Sequence, residues 1–327
     1  MACSSLSSPF GRRQPRARAL VPAFAVLLLA ICYSPVLEAD QVEESTSPAA
    51  RIARNRALIT DADKLKLSPV QVGGLWEQIA SDYQDLGEFA DAEAAYNRSL
   101  ALLEPENSAQ LAYAVTLGNL GSLYSMTRNY DAAENCTRQS LSVLEKLGDP
   151  LMIVRAQGHL ADVYLAMGKN KDALRYSALA VQGVGTLASA SSDDKGSILI
   201  SFAYASCLTS HCDDGLLAAR EAMNIVRTSF APESFPVGQA HVALGFAESK
   251  AGELSAADTD LSEGVRILRR QLPSSHPLML HALDIYRDYL AGNHREAEAK
   301  RIAKEQKAGD KRDCSGCTVS VYGLRNQ

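Results

Sequence analysis

Chemistry in this chain would have to come from its seven cysteines, six histidines and scattered carboxylates. Cys314-Ser-Gly-Cys317 is a CxxC, a spacing that suits a local disulfide, a redox pair or half of a zinc site. A redox pair belongs at a helix N-terminus on a thioredoxin-like fold, and a zinc site needs two further ligands nearby. Neither accompanies this CxxC, so a structural disulfide or idle thiols is the expectation. Cys207 and Cys212 flank a turn and are the second candidate pair. With His211, Asp213 and Asp214 they also form a metal-capable cluster, but turns are polar anyway and no second ligand set is adjacent. Cys136 reads as a small buried residue. Gly183-Val-Gly-Thr-Leu-Ala188 fits a loose GxGxxA, yet it ends a helix instead of following a strand, so it lacks the phosphate-binding mechanism. No Walker loop, HExxH or GxSxG occurs. His159 and His241 fall on periodic apolar stretches and read as core or groove residues. The sequons at Asn97 and Asn135 fall inside predicted helices. The expectation is a protein that is not an enzyme and has no cofactor and no metal.

The elements that carry these residues recur. Ala80-x2-Tyr83-x8-Ala92, Gly121-x2-Tyr124-x8-Ala133 and Ala161-x2-Tyr164-x8-Ala173 repeat every 40 to 42 residues, and three degraded copies follow. A fixed period of this size means stacked supersecondary units. In the first copy, Trp76, Ile79, Ala80 and Tyr83 share one helical face. Gly87 then signals a turn, and Phe89, Ala92, Ala95, Tyr96 and Leu100 form a second face. Two amphipathic helices joined at a glycine make an αα-hairpin. Small residues such as Ala80 and Ala92 sit where the helices approach closely, and Tyr83 supplies the wedge between them. Breakers between copies, such as Gly148-Asp-Pro150 and Pro273-Ser-Ser-His-Pro277, separate the hairpins.

This pattern resembles the tetratricopeptide repeat, whose first helix reads W-x2-L-G/A-x2-Y and whose second reads A-x3-F/Y-x2-A. Trp76, Ile79, Ala80, Tyr83, Ala92 and Tyr96 match it, and the long period is similar to that of the kinesin light-chain subgroup. In the fourth copy Ser206 stands where tyrosine belongs, and in the fifth Glu248 does. In the sixth, Gly292 and Ala297 fit while Asp284 and Asp288 occupy normally buried slots. The resemblance implies an all-α fold, a right-handed α-solenoid of about six helix-turn-helix repeats over residues 68–308. Residues 40–67 read as a polar linker with a short leading helix over 51–63, and 309–327 as an irregular tail holding the CxxC.

Residues 1–39 carry Arg12, Arg13, Arg16 and Arg18 ahead of an uncharged run, Ala19 to Leu37, with Glu38 as the first acid. That order is the pattern of a signal peptide, or of an N-terminal anchor if it is uncleaved, and it predicts an exported body, periplasmic or secreted. Only the anchor reading brings a membrane contact. The net charge is −5, and the four leader arginines leave the body more acidic than that, which argues against a nucleic-acid partner. Aromatics are only 6% and β-branched residues are sparse, in keeping with close-packed helices.

In tetratricopeptide repeats the first helices line a concave surface. The resemblance places Ser81, Ser122, Asp162, Tyr204, Phe246 and Tyr286 in one groove-facing row, and Gln84, Ser125, Leu165, Cys207, Ser249 and Tyr289 in a second. The rows run from polar to aromatic. Asn119 matches the peptide-contacting asparagine of kinesin light-chain-like members. Asn119, Tyr204, Phe246, Tyr286 and Tyr289 are therefore the candidate contacts of a scaffold that binds a protein or peptide in its groove. The late aromatics equally suit packing under the tail. The alternative function is a structural or assembly component of a cell-envelope complex that uses the convex face or tail.

Overall fold

The computed structural model describes residues 47–310; residues 1–46, with the expected signal peptide or anchor, and 311–327, with Cys314 and Cys317, lie outside the described residues. A leading helix α1 (Pro48–Thr60) starts three residues before the expected 51, because Ser47 caps it and Pro48 supplies the pre-set backbone of a first turn. A short α2 (Ala62–Leu65) follows. Six hairpins come next: α3 (Pro69–Asp85) with α4 (Phe89–Leu103), α5 (Gln110–Met126) with α6 (Tyr130–Leu147), and α7 (Pro150–Ala166) with α8 (Asn170–Thr186). Then come α9 (Ser192–Leu208) with α10 (Cys212–Ser229), α11 (Phe235–Ala251) with α12 (Leu254–Gln271), and α13 (Pro277–Gly292) with α14 (Glu296–Asp310). The fold is an all-α solenoid. No described helix is long and apolar enough to cross a membrane.

Local chemistry fixes where these helices start. Ser68 and Gln71 form a reciprocal capping box at α3, and Ser191 and Asp194 form one at α9. Asp149 caps α7 just before Pro150. The turn inside each hairpin repeats one geometry. Gly87, Arg128, Gly168, Ser210, Gly252 and His294 all take the left-handed conformation, 40 to 42 residues apart. At each turn the next residue donates its N–H back to a carbonyl five positions earlier, on Tyr83, Tyr124, Tyr164, Ser206, Glu248 and Leu290 respectively. This pattern closes the end of a first helix and marks the wedge position of every copy.

The marks move the sixth copy. Its wedge residue is Leu290, 1% exposed, rather than Asp288, and the buried small residue of its second helix is Ala299 rather than Ala297. Asp288 is exposed and pairs with Arg287, while Asp284 pairs with Arg287 and Gln306. No acid is forced into a buried slot in that copy. The two-residue difference arises because the left-handed residue is His294, whereas Gly292 is the last residue of α13.

Packing follows the expected small-to-small rule within hairpins. Ala80 and Ala92 are both fully buried. A Cβ on Gly245 would lie 2.8 Å from the backbone N of Leu261, so α11 and α12 can approach only because that side chain is missing. Between hairpins, the wedge tyrosines reach back to the preceding copy. Tyr124 donates to Glu93 Oε1 at 2.7 Å, and Tyr164 donates to Glu134 Oε1 at 2.8 Å. Lys169, Tyr164 and Arg138 converge on Glu134 and hold its carboxyl down at about 2, while burial and Glu134 push the Tyr164 hydroxyl up to about 12. The fourth and fifth copies lack this link, since their wedge residues are Ser206 and Glu248.

Candidate functional site: the concave face

The first helices of successive hairpins, α3, α5, α7, α9, α11 and α13, touch one another in sequence, whereas the second helices make no comparable contacts among themselves. The array therefore curves with its first helices inside, and side chains that leave them on the open side line a concave face. Hydrogen bonds run along this face from copy to copy. Asn119 on α5 donates to Glu77 Oε1 on α3 at 2.7 Å, and Ser201 on α9 donates to Asp162 on α7. Burial raises the Glu77 carboxyl above its ordinary range despite the Asn119 bond.

Farther along, three rings from three helices meet. Tyr204 on α9 lies 5.1 Å from Phe246 on α11, centroid to centroid, and 5.7 Å from His281 on α13 in an edge-on arrangement. These separations are those of favourable aromatic pairs. The Lys250 ammonium sits 5.4 Å from the Phe246 centroid, within cation–π reach. Tyr204 and Phe246 are half-buried and His281 is exposed. The surrounding protein raises the Tyr204 hydroxyl pKa and lowers that of His281. Both are therefore neutral near pH 7, and the cluster offers an uncharged aromatic surface with one ammonium above it.

The tetratricopeptide-repeat family model matches residues 71–146, the first two hairpins. The same hairpin geometry, marked by six equivalent turns, continues to α14. Those first two hairpins are tetratricopeptide repeats, and the rest of the array shares their fold. Among solved structures, BtubC (BKLC) from P. vanneervenii is similar at 20% identity, with a TM-score of 0.56, over 69% of this chain and 92% of that one. The apo form of RapI is similar at 12% identity, with a TM-score of 0.67, over 84% of this chain and 96% of that one. At these identities the likeness is one of fold. No curated protein matches the chain.

The structure distributes the candidate contacts of this repeat protein unevenly. Tyr204 and Phe246 come together on the concave face. Asn119 is on that face too, engaged by Glu77. Tyr286 and Tyr289 do not join them. They stack on each other at 6.4 Å and pack against the buried cluster of the last two hairpins. The Tyr289 hydroxyl donates to the Leu254 carbonyl at 2.7 Å, and Tyr286 senses Asp258, Arg295 and Glu298. The two-residue register difference in the sixth copy turns these tyrosines toward α12 and α14 and brings His281 into the groove. Gln84 also leaves the expected row: it is 7% exposed and accepts a bond from Tyr96.

Cys207 and Cys212 are joined by a disulfide across the turn of the fourth hairpin. Cys136 is a free, half-buried thiol whose pKa burial pushes up. No group of His, Cys, Asp and Glu able to hold a metal ion occurs among the described residues. His281 is the groove residue that sequence reasoning missed. Its signal was the leucine pair Leu283 and Leu290, seven apart on one helical face, which fixes the register of α13 without any glycine.

Proposed function

We propose that this protein is a non-enzymatic scaffold, exported from the cytoplasm, whose concave face binds a protein or peptide segment. The observation that carries the reading is the Tyr204–Phe246–His281 cluster, an uncharged aromatic surface shared by three hairpins on the inner face. Clustered rings of this kind anchor a partner's apolar side chain, and the polar residues around them orient its backbone. Asn119 and Asp162, nearer the start of the array, offer such polar contacts once a ligand competes with their present partners. The cationic and apolar order of residues 1–39 supports export, and a Cys207–Cys212 disulfide suits an oxidising compartment. The acidic body supports a protein rather than a nucleic-acid ligand.

The test is affinity capture from native extracts by wild type and by a Tyr204→Ala, Phe246→Ala double variant. Loss of a specific set of captured proteins, with the melting curve of the scaffold kept, is expected. Undiminished capture by the double variant would sink the groove reading. An assembly role through the convex face is the second reading, favoured by the exposed Leu217 on that side.

A further inference from the structure

The convex side of the array holds a notch between the third and fourth hairpins. Leu199 and Phe202 of α9 form its floor, Val181 of α8 one wall, and Leu217 and Ala218 of α10 the other. Its volume is about 220 Å³, and Asp214 and Glu221 stand at its edge. The floor belongs to a first helix and the walls to two second helices, so the notch opens away from the groove.

Comparison of the copies makes this notch unusual. Leu217 lies seven residues after the left-handed turn residue of its hairpin. The same position holds Ala94, Asn135, Arg175, Thr259 and Arg301 in the other five copies, and it is exposed in all six. Only the fourth copy puts a large apolar residue there. At 66% exposure, Leu217 is the most exposed large apolar side chain among the described residues. The neighbouring helix α8 has a parallel exception. Leu179, 40% exposed, takes the slot that Arg98, Gln139, Glu221, Glu263 and Glu305 fill elsewhere. A scattered exposed leucine needs no explanation. Two on adjacent convex helices, each at a slot otherwise small or polar, with an apolar notch between those helices, is a different pattern.

Charge supplies the second constraint. Asp214, Leu217 and Glu221 are spaced i, i+3, i+7, so they form one stripe about 10 Å long on α10. Neither Asp214 nor Glu221 makes a hydrogen bond or ion pair among the described residues, whereas their neighbour Arg220 is already held by Glu253. A partner covering Leu217 would desolvate both carboxylates, and only cations on that partner would offset the cost.

We propose that this notch is a docking site for a cationic amphipathic helix of a partner protein. The helix inserts an apolar side chain between α8 and α10 and sets lysines or arginines against Asp214 and Glu221.

The experiment titrates the full chain with a helical Leu/Lys amphipathic peptide, followed by calorimetry and by fluorescence anisotropy. A Leu/Glu peptide of the same length is the control. Binding of the Leu/Lys peptide is expected to weaken with added salt. It should also weaken by tenfold or more in Leu217→Asn, which carries the residue that the second copy has in this slot. Tyr204→Ala on the opposite face should bind like wild type. Asp214→Asn with Glu221→Gln is the second test, independent of any packing change at Leu217, and should lose most of the salt dependence. Equal affinity for the two peptides would overturn the proposal, as would wild-type binding by both variants. A self-associated full chain that Leu217→Asn returns to monomer would also overturn it, by making a second copy the occupant.

Discussion

Glu248 should make the fifth hairpin sensitive to pH. It fills the wedge position at 5% exposure, with one carboxyl oxygen lacking any partner. Its other neighbours are mostly acids. Asp260 of α12 shares a hydrogen bond with it, Glu253 lies in the adjacent turn, and Arg220 of α10, the cation that offsets them in part, is committed to Glu253. Asp260 in turn binds His241 Nδ1 of α11 at 2.6 Å. Burial first, and Asp260 second, push the Glu248 carboxyl from 4.5 up to about 7. The folded-state pKa lies above the unfolded one, so this group's contribution is fully present below pH 4.5 and is lost as pH rises through about 7. At 1.36 kcal/mol per pKa unit, the loss is about 3 kcal/mol.

Glu248→Gln keeps the shape and the bond to Asp260 but cannot ionise. The variant should match wild type near pH 4.5 and exceed it by about 3 kcal/mol at pH 8, or roughly 5–10 °C in Tm. Melting curves from pH 4.5 to 8.5 for both proteins provide the assay, and amide exchange in α11 and α12 localises the effect. Parallel curves over the whole range would refute the reasoning, as would a Glu248→Gln protein that is the less stable of the two at pH 8.

Other perturbations have defined outcomes. Gly245→Ala drives a methyl into the Leu261 backbone and should cost about 1–3 kcal/mol by urea denaturation. Arg128→Gly and His294→Gly relieve a left-handed residue with a side chain, and each should raise stability by about 0.5–1 kcal/mol in the same assay. Cys207→Ser with Cys212→Ser opens a short covalent loop, and the chain-entropy estimate is a loss of about 2 kcal/mol, matched by a Tm drop in wild type on adding reductant.

Much of the solenoid was legible because its signals are local. Periodic apolar faces, small residues at Ala80 and Ala92, and breakers before each first helix are read directly from the chain. The first five copies could be aligned even where Arg128 or Ser210 replaces the turn glycine, because a small residue seven positions earlier, Gly121 or Ala203, still marks the helix crossing. The sixth copy lacks both marks. Its turn residue is His294 and the crossing position is Arg287, so Gly292 drew the alignment two residues off. That slip turned two packed tyrosines into expected groove contacts and hid His281. The Leu217 notch was illegible for another reason. A leucine on an amphipathic helix reads as core until the burial of its neighbours is known.

The Cys207–Cys212 bond has a consequence for durability under proteolysis. The turn that it brackets exposes Leu208, Ser210 and His211, the kind of tip at which proteases first cut. A cut anywhere within it would leave the two halves of the array as one covalent molecule, held also by the packing of α9 on α10. The nicked and intact forms would run alike until the sample is reduced.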